Sequence, residues 1–448
     1  MRVGIIGFGF AGLMAASNLM RLTKNPLTFY IIDDHADGFG AAYSTTNPEH
    51  LLNVRASGMS AWLDAPDDFV QWLRTPEAAS KRAKHGIKAE IAASDFAPRV
   101  LYSAYLQHQW QATQALAATK QCDIKLVPSR AVAIQKTDGM AILTERGDAM
   151  AVDRIILAAG HEVKAIFPQV KSTHIIQNPW AVDALKGTKK WASPVMLMGA
   201  GLTAVDMVLS LRRAGYKGEI IATSRRGWLP QTHAEPNAVF AFTAEEIAAQ
   251  QRLSQWVRLV RKKIREVGDW RVVLDALRPH THAIWQRLGT GDQQRFLSQL
   301  LPLWNVHRHR MAPEIAACID TEIAAKKLRV LASKHMQVRS DGDLLSVATL
   351  GERFTPSRII NCTGMEMNLA RSSSPLLKQL LADGQVETHA NGLGVATDRY
   401  RCAWGTLHPN LYVIGSLLTG QLLESTAVPE LRAQAAGIAH AIVRCHEW

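Results

Sequence analysis

Two stretches of the chain repeat one pattern: a short unbroken apolar run, a glycine-rich turn, then apolar positions at helical spacing. In the first, VGII runs into Gly7, Gly9 and Gly12 and on into LMAASNL; in the second, VMLM runs into Gly199, Gly201 and Ala204 and on into VDMVLSL. Short apolar runs bounded by turn signals fit strands buried on both faces, and the stretch after each turn fits a helix packed on the sheet. Strand-like runs recur in TFYIID, EIIATS, VDRIILAAGH, SRIINCTG and NLYVIGS, and a last helix is expected from Pro429 onward. Trp256, Leu259, Val260, Ile264 and Val267 recur at helical spacing, which predicts an amphipathic helix with a charged outer face.

A strand, a turn with this glycine spacing and a helix form a dinucleotide seat. The glycines permit a tight turn and close backbone approach to a pyrophosphate lying on the helix N-terminus. Gly7, Gly9, Phe10, Ala11 and Gly12 make the first turn; Gly199, Gly201, Leu202, Thr203 and Ala204 make the second. The position that reads the cofactor's ribose then carries opposite charge. Counting 21 residues past Gly12 reaches Asp33, followed by Asp34, and 21 past Ala204 reaches Arg225, preceded by Ser224 and followed by Arg226. A carboxylate accepts hydrogen bonds from free ribose hydroxyls, whereas an arginine pairs with a 2′-phosphate. The first seat therefore suits FAD or NAD and the second NADP.

These placements predict an α/β chain with two dinucleotide-binding, Rossmann-like domains. The first is discontinuous, residues 1–164 and 346–448, and the second, 165–345, is inserted in it and carries a helical insertion at about 240–315. The length of 448 residues allows two or three domains. No apolar run reaches the ~18 residues of a membrane span. Arg2 and the apolar stretch after it imitate a signal peptide, but the glycines fall on the fingerprint spacing. Five scattered cysteines, Cys122, Cys318, Cys362, Cys402 and Cys445, form no CxxC, which favours a reducing compartment, the cytoplasm, and argues against a dithiol reductase.

Net charge is +12, and much of the excess lies between Arg252 and Arg287, where Arg258, Arg261, Lys262, Lys263, Arg265, Arg271 and Arg278 accompany Trp256, Trp270 and Trp285. Basic residues among aromatics can bind nucleic acid, but the helical spacing favours a solvated face or attraction of anionic cofactors and substrates. His307 and His309, in HRHR, would share one face of a strand. Without a third ligand, and beside Arg308 and Arg310, they make a poor metal site, and no metal is expected. No serine nucleophile elbow occurs, and Asp206 and Glu424 are expected to be hydrogen-bonding groups rather than an acid–base pair.

Beyond the glycine turns, DDHADGFGAAYSTTNPEHLLNVRASGMSAW, FAPRVLYSAYL, TSRRGWLPQTH, PLWNVHRHRMAP and ESTAVPELRAQAAGIA occur in family order. Together with MGAGLTAVDMVLSL they resemble the bacterial FAD-NAD(P)-binding family of flavoproteins, related to class B flavin monooxygenases and N-hydroxylases. The resemblance implies FAD in the first domain and NADPH in the second. It places Gly38, Gly40 and Tyr43 near the FAD pyrophosphate, Asn53 facing the flavin, Arg99 offsetting phosphate charge, and Gly160 at a strand end beside the cofactor. Tyr43 in core packing, Asn53 in a turn and Arg99 in a salt bridge are the alternatives. Gly415 and Ser416 stand where many relatives have Gly-Asp at the ribityl chain, and Ala427 and Val428 precede a helix at the flavin's pyrimidine edge. His174 lacks the Phe and Gly of the FxGxxxH signature of better-known class B enzymes.

The expected function is that of an NADPH-dependent FAD oxidoreductase, of monooxygenase type, acting on a small molecule such as an amine. Two alternatives are a flavin dehydrogenase or reductase without oxygenation and a non-catalytic nucleotide sensor. Neither a nucleic-acid partner nor a membrane is expected.

Overall fold

The computed structural model describes residues 1–35, 40–87, 90–136, 139–160, 162–342 and 344–444, so Gly38 and Cys445 lie outside the described residues. Along the chain run β1 (Arg2–Ile6), α1 (Phe10–Leu22), β2 (Thr28–Ile32), α2 (Arg99–Thr119), β3 (Asp123–Val127) and β4 (Arg154–Leu157). There follow β5 (Ile175–Ile176), β6 (Val195–Met198), α3 (Leu202–Arg213), β7 (Ile220–Ser224), α4 (Leu253–Val267) and α5 (Pro313–Ala324). Last come β8 (Leu328–Ala332), β9 (Arg358–Asn361), β10 (Leu411–Val413) and α6 (Val428–Arg444).

The strands form two five-stranded sheets, ordered β3-β2-β1-β4-β10 and β8-β7-β6-β9-β5. Every pairing in both is parallel. This explains the unbroken apolar runs, because helices over a parallel sheet bury both strand faces: Val3, Ile5, Val195, Met196 and Leu197 are fully buried. Counting from the strand that carries the glycine turn, the third and fourth strands of each unit are joined through a three-stranded antiparallel meander, β3 to β4 at residues 131–152 and β8 to β9 at residues 337–354. The two units thus share one plan, and in both the sheet order turns beside the strand that carries the glycine turn.

One strand is displaced from its expected place. SRIINCTG was assigned to the returning half of the first domain, but β9 pairs with β6 in the second sheet, Ile359 opposite Met196 and Ile360 opposite Leu197. Its apolar pattern suits either sheet, and the preceding meander, packed through Val338, Leu345 and Val347 against Met196 and Met198, delivers it there. The return to the first sheet is made by β10 alone, which pairs with β4.

The helical insertion has its own core. Trp256 of α4 is buried with Phe242, Val273, Leu274, Leu277, Trp285, Leu288 and Phe296, while Leu259, Val260, Ile264 and Val267 pack against them. This core docks onto the first unit's C-terminal segment. Leu423 joins it, and the fully buried Trp285 donates its Nε1 hydrogen to Gly420 O at 2.8 Å. Truncating such a buried indole costs roughly 3–5 kcal/mol, so the insertion is fixed over the end of the first sheet. His307 and His309 are not on a strand: they close the helix Leu301–Arg308, and proline-initiated helical packing overrides the alternating pattern.

Candidate dinucleotide-binding sites

The two glycine turns have matching geometry. Gly7 N donates to Ile32 O at 2.9 Å, and Gly199 N to Thr223 O at 2.7 Å. Both sit in the left-handed region, φ +102° and +121°, and a Cβ on either would overlap a carbonyl oxygen of the neighbouring strand's end, Ala158 or Cys362. These two glycines are required by chain crossing. Gly12 is required too, since a Cβ there would overlap the Gly7 carbonyl, while buried Ala204 shows that the second helix has slightly more room.

Gly201 is different, because a Cβ there would meet nothing within 4 Å. It opens α3 as Gly9 opens α1, each in extended conformation, with no side-chain cap and no acidic residue in the first turn. Uncapped N–H groups at the positive end of a helix suit a pyrophosphate. Phe10, Ala11, Leu202 and Thr203 lie in these first turns. At the neighbouring strand ends, Gly160 (φ +70°) and Gly364 (φ +92°) also face open space. Gly364 is the second unit's counterpart of Gly160, a position the sequence reading missed, although CTG after an apolar run repeats the AAG of the first unit.

The ribose readers differ in commitment as well as charge. Asp33 is held against its turn, accepting from Phe8 N at 2.5 Å and from His35 N at 2.7 Å. Its remaining lone pairs can accept ribose hydroxyls. Asp34 is instead paired with Arg130, Oδ2 to Nε 2.5 Å. In the second unit Ser224 Oγ accepts from Gly227 N at 3.0 Å, and Arg226 lies over the Trp228 ring at 4.7 Å. Arg225 is exposed and, among the described residues, has no ion-pair partner. Arg226, also exposed, donates in addition to Gln299 O at 3.4 Å, so Arg225 is the less engaged of the two arginines.

Around the first turn, Gly40 (φ +82°) approaches Gly9, where an added Cβ would stand 3.2 Å from Gly9 Cα. The Tyr43 ring packs on Tyr102 at 4.7 Å, and burial pushes its hydroxyl pKa up. Arg99 takes the salt-bridge role given above as the alternative to offsetting phosphate charge. It starts α2, donates Nε–H to Leu51 O at 3.1 Å, and forms a buried ion pair with Asp206 of α3 at 2.8 Å. That pair ties the two units together, beside His50, whose Nε2 lies 2.8 Å from Ser210 Oγ and whose pKa is lowered chiefly by burial. At the carboxyl ends of β4 and β10, Ser416 Oγ donates to Gly160 O, and Gly415 N donates to Gln434 Oε1 at 2.9 Å. Ala427 and Val428 open α6.

The insertion contributes charges that the sequence reading left unplaced. Arg308 pairs with Glu424 at 2.8 Å, Trp304 Nε1 donates to Glu424 Oε1 at 2.9 Å, and Arg278 pairs with Glu430 of α6 at 3.1 Å. Arg310 pairs with Asp275. Both HRHR arginines therefore serve ion pairs, Arg308 with buried Glu424 and Arg310 with exposed Asp275, and Glu424 and Glu430 join the insertion to the α6 N-terminus. Among the described residues no three His, Cys, Asp or Glu side chains cluster as a metal site would require, and no helix is long and apolar enough to cross a membrane.

Comparison with known proteins defines the class. Residues 4–162 match the model of the FAD-NAD(P)-binding family. No curated protein matches the sequence. Among solved structures, the chain is similar to the ornithine N-hydroxylase of Kutzneria sp. 744, solved with reduced FAD, NADP+ and L-ornithine, with a TM-score of 0.64 at 14% identity over 99% of both chains. It is similar also to the FAD-bound cadaverine monooxygenase of Erwinia amylovora, TM-score 0.62 at 11% identity, covering 99% of this chain and 94% of that one. A bacillithiol disulfide reductase of Staphylococcus aureus shares the fold at TM-score 0.55 and 12% identity, covering 99% of this chain and 98% of that one. The chain thus shares the fold of these three proteins over nearly its whole length.

Proposed function

We propose that the protein is an FAD-containing, NADPH-dependent oxidoreductase of the monooxygenase type that hydroxylates a small amine in the cytoplasm. The observation that carries this is the pair of matched seats with opposed ribose readers, Asp33 at one and the uncommitted Arg225 at the other. The residues fit the groups: uncapped helix N-termini face both turns, and Gly201 leaves open the space a pyrophosphate needs. FAD and NADPH, when bound, supply hydride transfer and the activation of oxygen.

The chain's own residues bind and enclose. Gly7 to Gly12 with Asp33 would hold the FAD adenosine and pyrophosphate, and Gly40, Asn53, Gly160, Gly415, Ser416, Ala427 and Val428 would line the rest of the flavin. Gly199 to Ala204, Ser224 and Arg225 would hold NADPH. The second domain is best drawn to include β9. The insertion, fixed by Trp285 and the Arg308–Glu424 pair, would form the wall that excludes water and receives substrate. An amine suits this class because two of the structural neighbours are an ornithine N-hydroxylase and a cadaverine monooxygenase.

The overall balance is amine, O2, NADPH and a proton to hydroxylamine, NADP+ and water. A disulfide-reductase reading has less support. Cys362 and Cys402 are buried, Cys122 is half-buried, Cys318 is exposed, and none of these four is disulfide-bonded. The test is NADPH oxidation by the yellow holoprotein with ornithine, lysine, putrescine and cadaverine in turn. Stoichiometric hydroxylamine with one of them supports the reading. Turnover that yields only hydrogen peroxide with every amine, or reduces a disulfide instead, overturns it.

A further inference from the structure

The segment after β7 begins at the proposed 2′-phosphate reader and ends on the loop that bears Asn53. Its course is pinned throughout. Gly227 N donates to Ser224 Oγ at 3.0 Å, Gln231 N to Val306 O at 2.7 Å, and Met311 N to Gln231 O at 2.8 Å. Arg271 Nε donates to Thr232 O at 3.0 Å, and His233 N to Met311 O at 2.9 Å. The segment then crosses to the first unit. His233 Nε2 donates to Asn53 O at 3.1 Å, and its ring lies 4.8 Å from Phe96. Two residues on, Glu235 pairs with Arg55 at 2.8 Å, and Arg55 donates to Ser94 O at 2.7 Å.

We propose that His233 is a positioning residue that couples occupancy of the NADP seat to the flavin-facing loop at Asn53. The inference rests on the cofactor assignment above. A phosphate on Arg225 bears on one end of a strut whose middle is hydrogen-bonded at Ser224, Val306 and Met311, and the strut has one direct hydrogen bond to the backbone of Asn53. Besides the neighbouring Glu235–Arg55 pair, the Asn53 loop is held from its own side, Leu52 N to Ala97 O at 2.9 Å and Arg99 Nε to Leu51 O. His233 is therefore the contact through which the second unit can shift the backbone of Asn53 itself, the exposed Glu235 acting only on the Arg55 side chain. By linkage, a nucleotide that moves the loop also binds differently when the loop moves.

The test uses oxidised FAD-loaded protein and NADP+, which binds without reducing the flavin. NADP+ affinity is measured by calorimetry, the visible flavin band by difference absorbance, and reduction by NADPH in anaerobic stopped flow. His233→Phe keeps a ring against Phe96 but has no donor; His233→Gln keeps a donor at the reach of Nε2. The wild type is expected to show an NADP+-induced shift of the flavin band. His233→Phe is expected to bind FAD and NADP+ but to lose that shift and to be reduced about tenfold more slowly, within the usual range for linked sites. His233→Gln is expected to restore both. A wild type with no shift, or a His233→Phe protein with the wild-type shift and rate, overturns the proposal while leaving the cofactor assignment intact. A wild type that holds no flavin or binds no NADP+ overturns the assignment and the proposal together.

Discussion

The two nucleotide units share strand order, glycine turn, following helix and meander, and they differ where a charge would meet a ligand. In the first, Asp33 is fixed by two backbone N–H groups, and Gly40 closes on the turn at Gly9. In the second, Arg225 stands exposed and Gly201 faces open space. A preformed reader suits a cofactor that stays; an exposed, unpaired cationic reader suits one that exchanges every turnover. Packing sets the fold in both units, and a few side chains at the sheet ends set what each would hold.

The largest effect expected is within the second turn itself. Gly199→Ala places a methyl group on the Cys362 carbonyl in a left-handed conformation, at a cost of roughly 2–6 kcal/mol. Gly201→Ala, two residues on, is expected to cost less than about 1 kcal/mol, as for other changes at a helix N-cap. Thermal unfolding of the two variants checks this, and equal losses would mean that the turn is not built as described.

Next in size is the tie between the units. Asp206→Ala leaves Arg99 buried without its partner, a change that costs roughly 3–5 kcal/mol in buried pairs. The Arg99→Met/Asp206→Leu double variant is expected to recover most of that loss. Denaturant midpoints measure both, and a double variant no better than Asp206→Ala would mean that the pair is not what joins the units.

Arg225→Ala addresses the charge difference directly. A charge-assisted hydrogen bond to the 2′-phosphate contributes on the order of 1.5–3 kcal/mol, so the preference for NADPH over NADH should fall roughly ten- to hundredfold. NADH use should stay near the wild-type level. Arg226→Ala, in which the side chain lost is the one over Trp228, should leave the preference nearly intact. The reverse ranking of kcat/KM ratios would move the reader by one residue.

The smallest effect is on pH dependence. Burial, followed by the Arg310 charge, pulls the His233 pKa down to about 4, below its unfolded value of about 6.5. Between these values the unfolded chain binds the extra proton, so this group's contribution to stability is full above about pH 6.5 and is lost as pH falls toward 4. Urea unfolding at pH 5 and pH 7.5 should show a smaller acid-side loss for His233→Phe than for the wild type. An unchanged loss would mean that His233 is not held neutral.

Features encoded locally were legible in the sequence. The glycine spacings, the apolar strands and the amphipathic face of α4 each lie within one short stretch, and the structure contains each of them. The rest depended on partners distant along the chain. Arg99 reads as a phosphate ligand until Asp206 is brought beside it, and β9 reads as part of either sheet until β6 is seen at its side. Alternation in HRHR imitates a strand, yet Arg308 and Arg310 turn inward to Glu424 and Asp275 from a helix end. His233 carries no motif, and only the crossing of its segment to Asn53 marks it.

In the proposed reaction hydride passes from the NADP seat to the FAD seat, and the most direct measurement is anaerobic mixing of NADPH with the FAD-loaded protein while the oxidised flavin band is followed. The wild type, with amine present if substrate gates the step, is expected to bleach. Gly201→Asp, which puts a carboxylate where the second pyrophosphate would lie, is expected to keep its flavin and remain yellow with NADPH, while dithionite still bleaches it. A wild-type flavin that stays oxidised under saturating NADPH with every amine tried, or a Gly201→Asp protein that bleaches at the wild-type rate, would contradict it.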